Sequence, residues 1–127
     1  MSKERAKGTL GENGAVDYLA ENGFPHVERR ALAGINDKGD VAGIPGIVIE
    51  VKNHKSYKFP QWMKETQVEK DNANADFGIL VVKPNGVGVS NSGKWWAVMT
   101  LEDMANLLRD AGYGTPRKVV DKDYGQQ

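Results

Sequence analysis

Two carboxylates and an ammonium stand close together in the segment GDVAGIPGIVIEVKN: Asp40 before a Gly-Ile-Pro-Gly turn, Glu50 and Lys52 after it. In the run after the turn, Ile47, Ile49 and Val51 alternate to one face of a strand, which puts Glu50 and Lys52 on the other face with Val48. A hairpin folded about Pro45 sets residues whose numbers sum to about ninety opposite one another, so Asp40 faces Glu50. Like charges opposed across a ladder are destabilising. At roughly 5 Å and an effective dielectric of about 20 the repulsion is on the order of 3 kcal/mol. A bound divalent cation would reverse its sign. Oxygen ligands without Cys or His suit a hard cation, Mg²⁺ with Mn²⁺ as a substitute, which keeps waters and leaves positions open for a phosphate. That chemistry is metal-assisted phosphodiester hydrolysis, in which the metal activates water and neutralises charge on the phosphate. Lys52 would orient or polarise the attacking water, or stabilise the pentavalent transition state.

A third carboxylate comes from the N-terminal helix, expected from near Lys3 or Thr9 to Asn22 with Gly23 ending it. At about 100° per residue, Ala15, Val16 and Leu19 define its apolar arc and Glu12 falls within that arc. A partly buried charge needs a partner or a metal. Cations follow the hairpin directly. From Val51 to Lys64 the stretch VKNHKSYKFPQWMK holds Lys52, Lys55, Lys58, Lys64 and His54 with no acid, and Lys55, Lys58 and Lys64 are read as DNA phosphate contacts. Lys83 ends the buried run FGILVV, where it borders the site, and Lys7 lies on the first helix. Arg29 and Arg30 alternate faces of a strand, HVERRALAG, so at most one reaches DNA, and Arg30 is the one assigned. Trp62, Trp95 and Trp96 are assigned to the core or a dimer interface rather than to base stacking.

These residues need a frame. The chain has 127 residues, enough for one core, with 39% hydrophobic and 27% charged residues. Seventeen basic and seventeen acidic residues cancel, so an anionic partner must be held by a local patch. There is no cysteine, which excludes disulfides and thiolate metal sites. The longest apolar run is too short to span a bilayer and the N-terminus has no apolar signal core, so a cytoplasmic location without membrane contact is expected.

The expected order is helix, strands, helix, buried strand, strand, helix. Pro60 opens the second helix, NANAD ends it, and Gly34 to Gly39 form a loop. PNGVGVSNSG is a Gly-rich turn, KWWAVMT a strand, and Leu101 to Ala111 an amphipathic helix closed by Gly112, with Leu101, Met104, Ala105, Leu107 and Leu108 at helical spacing. The fold class is α/β, a mixed central sheet flanked by helices, in one domain over residues 1–114 with a polar tail over 115–127.

Asp40, nine intervening residues and Glu50-Val51-Lys52, preceded by Glu12 on a helix, resemble the PD-(D/E)xK nuclease superfamily. Within it the chain is most similar to archaeal-type Holliday-junction resolvases and their small phage relatives, through KGTLGENGAVDYLAENGF, GDVAG, IVIEVKNHK and FGILVVK. Gly39 stands in place of the proline in the motif's name. The resemblance implies a restriction-endonuclease-like core and a Mg²⁺-dependent DNA endonuclease acting on branched four-way junctions. It places the metal on Asp40, Glu50 and Val51 with Glu12 completing or supporting the site, makes Lys52 the catalytic lysine, and adds Gln67 at the border of the site. Symmetric cutting of a junction implies a homodimer. Two other readings stand beside it: a nuclease of other specificity, repair or restriction-like on linear or flap DNA, and a DNA-binding module without catalysis.

Overall fold

The structure is a computed structural model that describes residues 2–30 and 38–116. It is an α/β fold with a five-stranded mixed sheet in the order β1-β2-β3-β4-β5. In chain order the elements are α1 (Lys3–Glu21), β1 (Glu28–Arg29), β2 (Val41–Ala42), β3 (Ile47–Lys52), α2 (Phe59–Asn72), β4 (Phe77–Val82), a 3₁₀ segment (Val89–Lys94), β5 (Trp96–Val98) and α3 (Leu101–Asp110). The parallel pair is β3 and β4, joined through α2 as parallel strands require; the other neighbours are antiparallel.

Alternation along β3 decides which helix covers which side. Ile49 and Val51 are buried with Ala15 of α1, Val27, Val41 and Trp95, and Val16 and Leu19 pack against them. The opposite face of the sheet buries Leu80 and Val82 against Trp62 of α2, with Phe59, Met63 and Val98 around them. Glu50 and Lys52 pair in register with Leu80 and Val82 and therefore project toward α2.

Local sequence accounts for the helix ends. Ser2 caps α1 by accepting the Arg5 N–H at 3.1 Å, Pro60 occupies the first turn of α2, and Thr100 Oγ1 accepts the Asp103 N–H at 3.0 Å. Against the core, α1 approaches closely because Gly11 and Gly14 carry no side chain: a Cβ on Gly14 would lie 2.6 Å from Trp95 Cη2.

Two expectations change. In the described part of HVERRALAG the strand covers Glu28–Arg29 and not His26 or Val27, followed by one more backbone bond from Arg30 N–H to the Asp40 carbonyl at 2.8 Å; residues 31–37 lie outside the described residues, as does nearly all of the polar tail. The apolar stripe of α3 is not what buries it. Leu101 is 76% exposed, whereas Asp103 is buried, its Oδ1 accepting from Lys70 Nζ at 2.9 Å and its Oδ2 from the Gly78 N–H at 3.0 Å. A charged pair plus a backbone donor docks α3 on β4 and α2, so the buried acid is satisfied on both oxygens.

Candidate active site

The hairpin register is the one that opposes the two acids, with Val41 paired to Ile49. Asp40 leaves the regular ladder: its N–H donates to the Ile49 carbonyl at 2.8 Å and its Oδ2 accepts the Val51 N–H at 2.8 Å. Gly39 makes this possible. Its φ of +93° is in the left-handed region, and a Cβ there would meet the Ile49 carbonyl oxygen at 2.9 Å. Proline, with φ near −65°, cannot occupy that position.

Burial pushes the Asp40 carboxyl up to about 7, the Glu50 charge adds to the rise, and the Val51 N–H works against it. When Asp40 carries its proton it hydrogen-bonds to Glu50, which raises it further. Glu50 is buried, its Oε2 lying 3.2 Å from Lys52 Nζ while Oε1 has no hydrogen-bond partner among the described residues. A proton or a cation between the two carboxyls would relieve the same strain of charge.

Lys52 Nζ also contacts Glu65 Oε1 at 2.8 Å, and Gln61 Nε2 donates to the other Glu65 oxygen at 3.0 Å. Burial alone would lower the Lys52 ammonium, but the hydrogen bonds it donates to Glu65 and Glu50, with their charges, carry it above its ordinary value. Lys52 is therefore a fixed positive charge and donor. Glu65 is the residue that sequence reasoning missed; its only signal is a position on the helix face turned to the strand that carries Lys52.

Glu12 belongs to the same cavity, yet its carboxylate is engaged elsewhere: Arg29 Nε lies 2.9 Å from Glu12 Oε1. Burial holds the Glu12 carboxyl above its ordinary value despite that hydrogen bond, and the Asp40 charge adds to the rise. Among the described residues no group of three or more His, Asp or Glu side chains converges as a metal site. The structure thus brings two carboxylates together rather than three, with Glu12 beside them. Val51 buries its side chain, so only its backbone carbonyl is available to a metal.

The cavity has a volume of about 420 Å³, and Lys3, Lys7, Lys52, His54 and Lys55 share its walls with Glu12, Asp40 and Glu50. Gly8, Glu12 and Asp40 also line an adjoining hollow of about 450 Å³ that includes Arg5, Arg29 and Arg30. Both arginines reach this hollow, so the alternation expected to separate them does not. Burial lowers the pKa of His54, and the charges of Lys52, Lys7 and Lys58 lower it further, so these cations converge on one side of the site. Lys83 is held next to it by its N–H, which donates to the Lys52 carbonyl at 2.9 Å.

Besides Arg30, which lines the adjoining hollow, four assigned residues do not line this cavity: Lys58, Lys64, Lys83 and Gln67. Lys64 lines a separate groove on α2 with Gln61, Glu65 and Val68. Gln67 packs against Gly78, whose strand partner Val48 lies two residues before Glu50, and its buried Nε2 finds no hydrogen-bond partner among the described residues. Among the described residues no helix is long and apolar enough to cross a membrane. Compared with protein-family models, curated proteins and solved structures, the chain matches none.

Proposed function

We propose that the chain is a metal-dependent DNA endonuclease built on a restriction-endonuclease-like core, with branched four-way DNA as its substrate. The observation that carries this reading is the opposition of Asp40 and Glu50 across the β2–β3 hairpin, beside Lys52 and inside a lysine-lined cavity. A structural protein has no use for such an arrangement, because burial and the Glu50 charge make Asp40 costly to ionise.

The residues fit a hard divalent cation. Mg²⁺ binds through one or two carboxylates and keeps its remaining positions for water and phosphate, so the Asp40–Glu50 pair with the Val51 carbonyl is sufficient. The unpartnered Glu50 Oε1 is an oxygen with capacity to spare. When bound, the cation lowers the pKa of a water and offsets charge on the phosphate. Everything else falls to the protein. Lys52, held by Glu50 and Glu65, presents a donor to the scissile phosphate or the attacking water, and its raised pKa excludes it as a neutral base. Lys7 and Lys55 of the cavity wall, with Lys83 tied by its N–H to the Lys52 carbonyl, hold the flanking phosphates, and Arg30 extends the cationic wall on the other side of Asp40.

The test is cleavage of synthetic four-way junctions, linear duplex and single strands by purified protein with Mg²⁺ or Mn²⁺. Junction cleavage by a dimer supports the reading, and equal products on linear duplex transfer it to a repair or restriction-like nuclease. Folded protein that leaves every substrate intact with every metal, while binding DNA, reduces it to a DNA-binding module.

A further inference from the structure

The indole of Trp96 is 44% exposed, unlike Trp62 and Trp95, which are buried. It leans on Phe59 with ring centroids 6.1 Å apart and planes 31° apart, and Tyr57 meets it edge-on at 5.5 Å. Tyr57 is itself 37% exposed and is fixed in place by the Asn85 N–H, which donates to its hydroxyl at 2.8 Å. Phe59 backs onto the Trp62 core, and Tyr57 and Trp96 extend its rings into a shelf at the surface.

The sheet ties this shelf to the candidate site. Lys52 pairs with Val82 and Val82 with Trp96, so Lys52 and Trp96 lie in one row on the same face of the sheet, two strands apart. Two interstrand spacings put their backbones about 10 Å from each other. A series of ring contacts spans the interval: His54 of the cavity wall to Trp62 at 5.2 Å, Trp62 to Phe59 at 5.8 Å, and Phe59 to Trp96. The sequence around these rings is cationic: Lys55 and Lys58 flank Tyr57, Lys83 follows Val82 and Lys94 comes two residues before Trp96, with no acid between Val51 and Lys64.

We propose that the Tyr57–Phe59–Trp96 shelf stacks an unpaired base of a DNA strand whose backbone runs over Lys55, Lys58 and Lys83 into the cavity at Lys52. The chemistry that recognises this occupant is a π-face for the base and ammonium groups for its phosphates, a combination used by single-strand binders. Duplex DNA keeps its bases stacked and cannot use the shelf, so the surface selects strands that are open beside the cleavage point. This deepens the nuclease reading and rests on it for the direction of the strand.

The experiment uses the full chain without metal and fluorescein-labelled fifteen-residue oligo(dT), read by anisotropy and by quenching of tryptophan emission. Because Trp96 is the exposed tryptophan, oligo(dT) should quench a fraction of the emission that Trp96→Phe removes. Trp96→Ala should weaken binding by about tenfold with the salt slope unchanged, and Trp96→Phe should restore most of the affinity. Affinity within twofold of wild type in a Trp96→Ala protein that melts normally overturns the proposal. So does a Trp96→Ala change in sedimentation with unchanged oligo(dT) binding, which identifies the shelf as a contact between copies of the chain. If Trp96→Ala does not fold, loss of quenching without loss of affinity in Trp96→Phe supports the stacking, and unaltered quenching in that variant overturns it. Cleavage assays separate the two readings: Trp96-dependent binding with no cleavage leaves the shelf standing without the nuclease, and cleavage with Trp96-independent binding does the reverse.

Discussion

The Val51 N–H donates to Asp40 Oδ2 at 2.8 Å, so the backbone of β3 holds the side chain that Glu50, an acid of the same strand, repels. This bond helps to keep Asp40 facing Glu50 even though burial and the Glu50 charge raise the Asp40 pKa to about 7. A carboxyl with a folded pKa above its unfolded value binds more protons in the native state between the two values, so stability falls as pH rises across that window. Between pH 4 and about 7 the Asp40 contribution is therefore lost progressively, with burial and the Glu50 charge opposing its ionisation and the Val51 N–H and Lys52 favouring it. The lowered pKa of His54 acts in the opposite sense below its unfolded value. Asp40→Asn is expected to be less pH-dependent than wild type in thermal melts at pH 5 and pH 8, and Mg²⁺ is expected to stabilise wild type at pH 8 but not the variant.

Lys52→Met should lower cleavage by on the order of a hundredfold or more, as loss of a charge-stabilising donor does, with little change in DNA affinity. Glu65→Gln should have a smaller effect, since Glu50 still holds Lys52 at 3.2 Å. Single-turnover rates at saturating enzyme distinguish the two. A Glu65→Gln rate below that of Lys52→Met would refute the assignment of Glu65 as a positioning residue.

Arg29 competes with any cation for Glu12. Removing it with Arg29→Ala should tighten Mg²⁺ or Mn²⁺ binding, measured by calorimetry, because a third carboxylate is released next to Asp40. The change in melting should be small: Arg29 is well exposed, and such pairs contribute about 0–1 kcal/mol.

Gly39→Ala should cost about 1–3 kcal/mol, the range for a residue forced into a sparsely populated backbone conformation, and should lower activity further by displacing Asp40. Gly39→Pro, which restores the motif's usual residue, should be worse still. Urea denaturation with equal m-values checks the first expectation. A neutral Gly39→Ala would show that the loop takes up another conformation freely.

Asp103→Ala should destabilise the fold by about 3 kcal/mol, because it strands Lys70 and the Gly78 N–H together. Asp103→Asn keeps the backbone bond and should lose less. Chemical denaturation of both variants makes the comparison.

The elements were readable where one periodicity dominated. Phe77–Val82 matches the apolar run in both bounds, and the register of the hairpin follows from Pro45 and the alternation after it. Both are local properties of the chain. What could not be read is which cation meets which acid. Glu12 lies where the helical arc puts it, yet Arg29 of a neighbouring strand takes its carboxylate, and only the packing of α1 beside β1 brings the two together. Glu65 was hidden for the same reason: its contact with Lys52 depends on how α2 lies across β3. Trp96 shows the converse. Its sequence neighbour Trp95 is buried while Trp96 projects to the other face at the sheet edge, and a tryptophan pair in sequence does not say which of the two stays in water.

The parallel pairing of β3 with β4 also sets an order of events during synthesis. Every member of the hairpin is made before Leu80 and Val82, the residues that lie beside Glu50 and Lys52 in the finished sheet, and before Lys83, whose N–H closes on the Lys52 carbonyl. A nascent chain that ends within α2 therefore displays its acids and lysine on an open edge, without the wall that fixes them. On the proposed function, hydrolytic competence would arrive only with completion of β4, and a nascent chain would leave nearby nucleic acid intact until its sheet is whole.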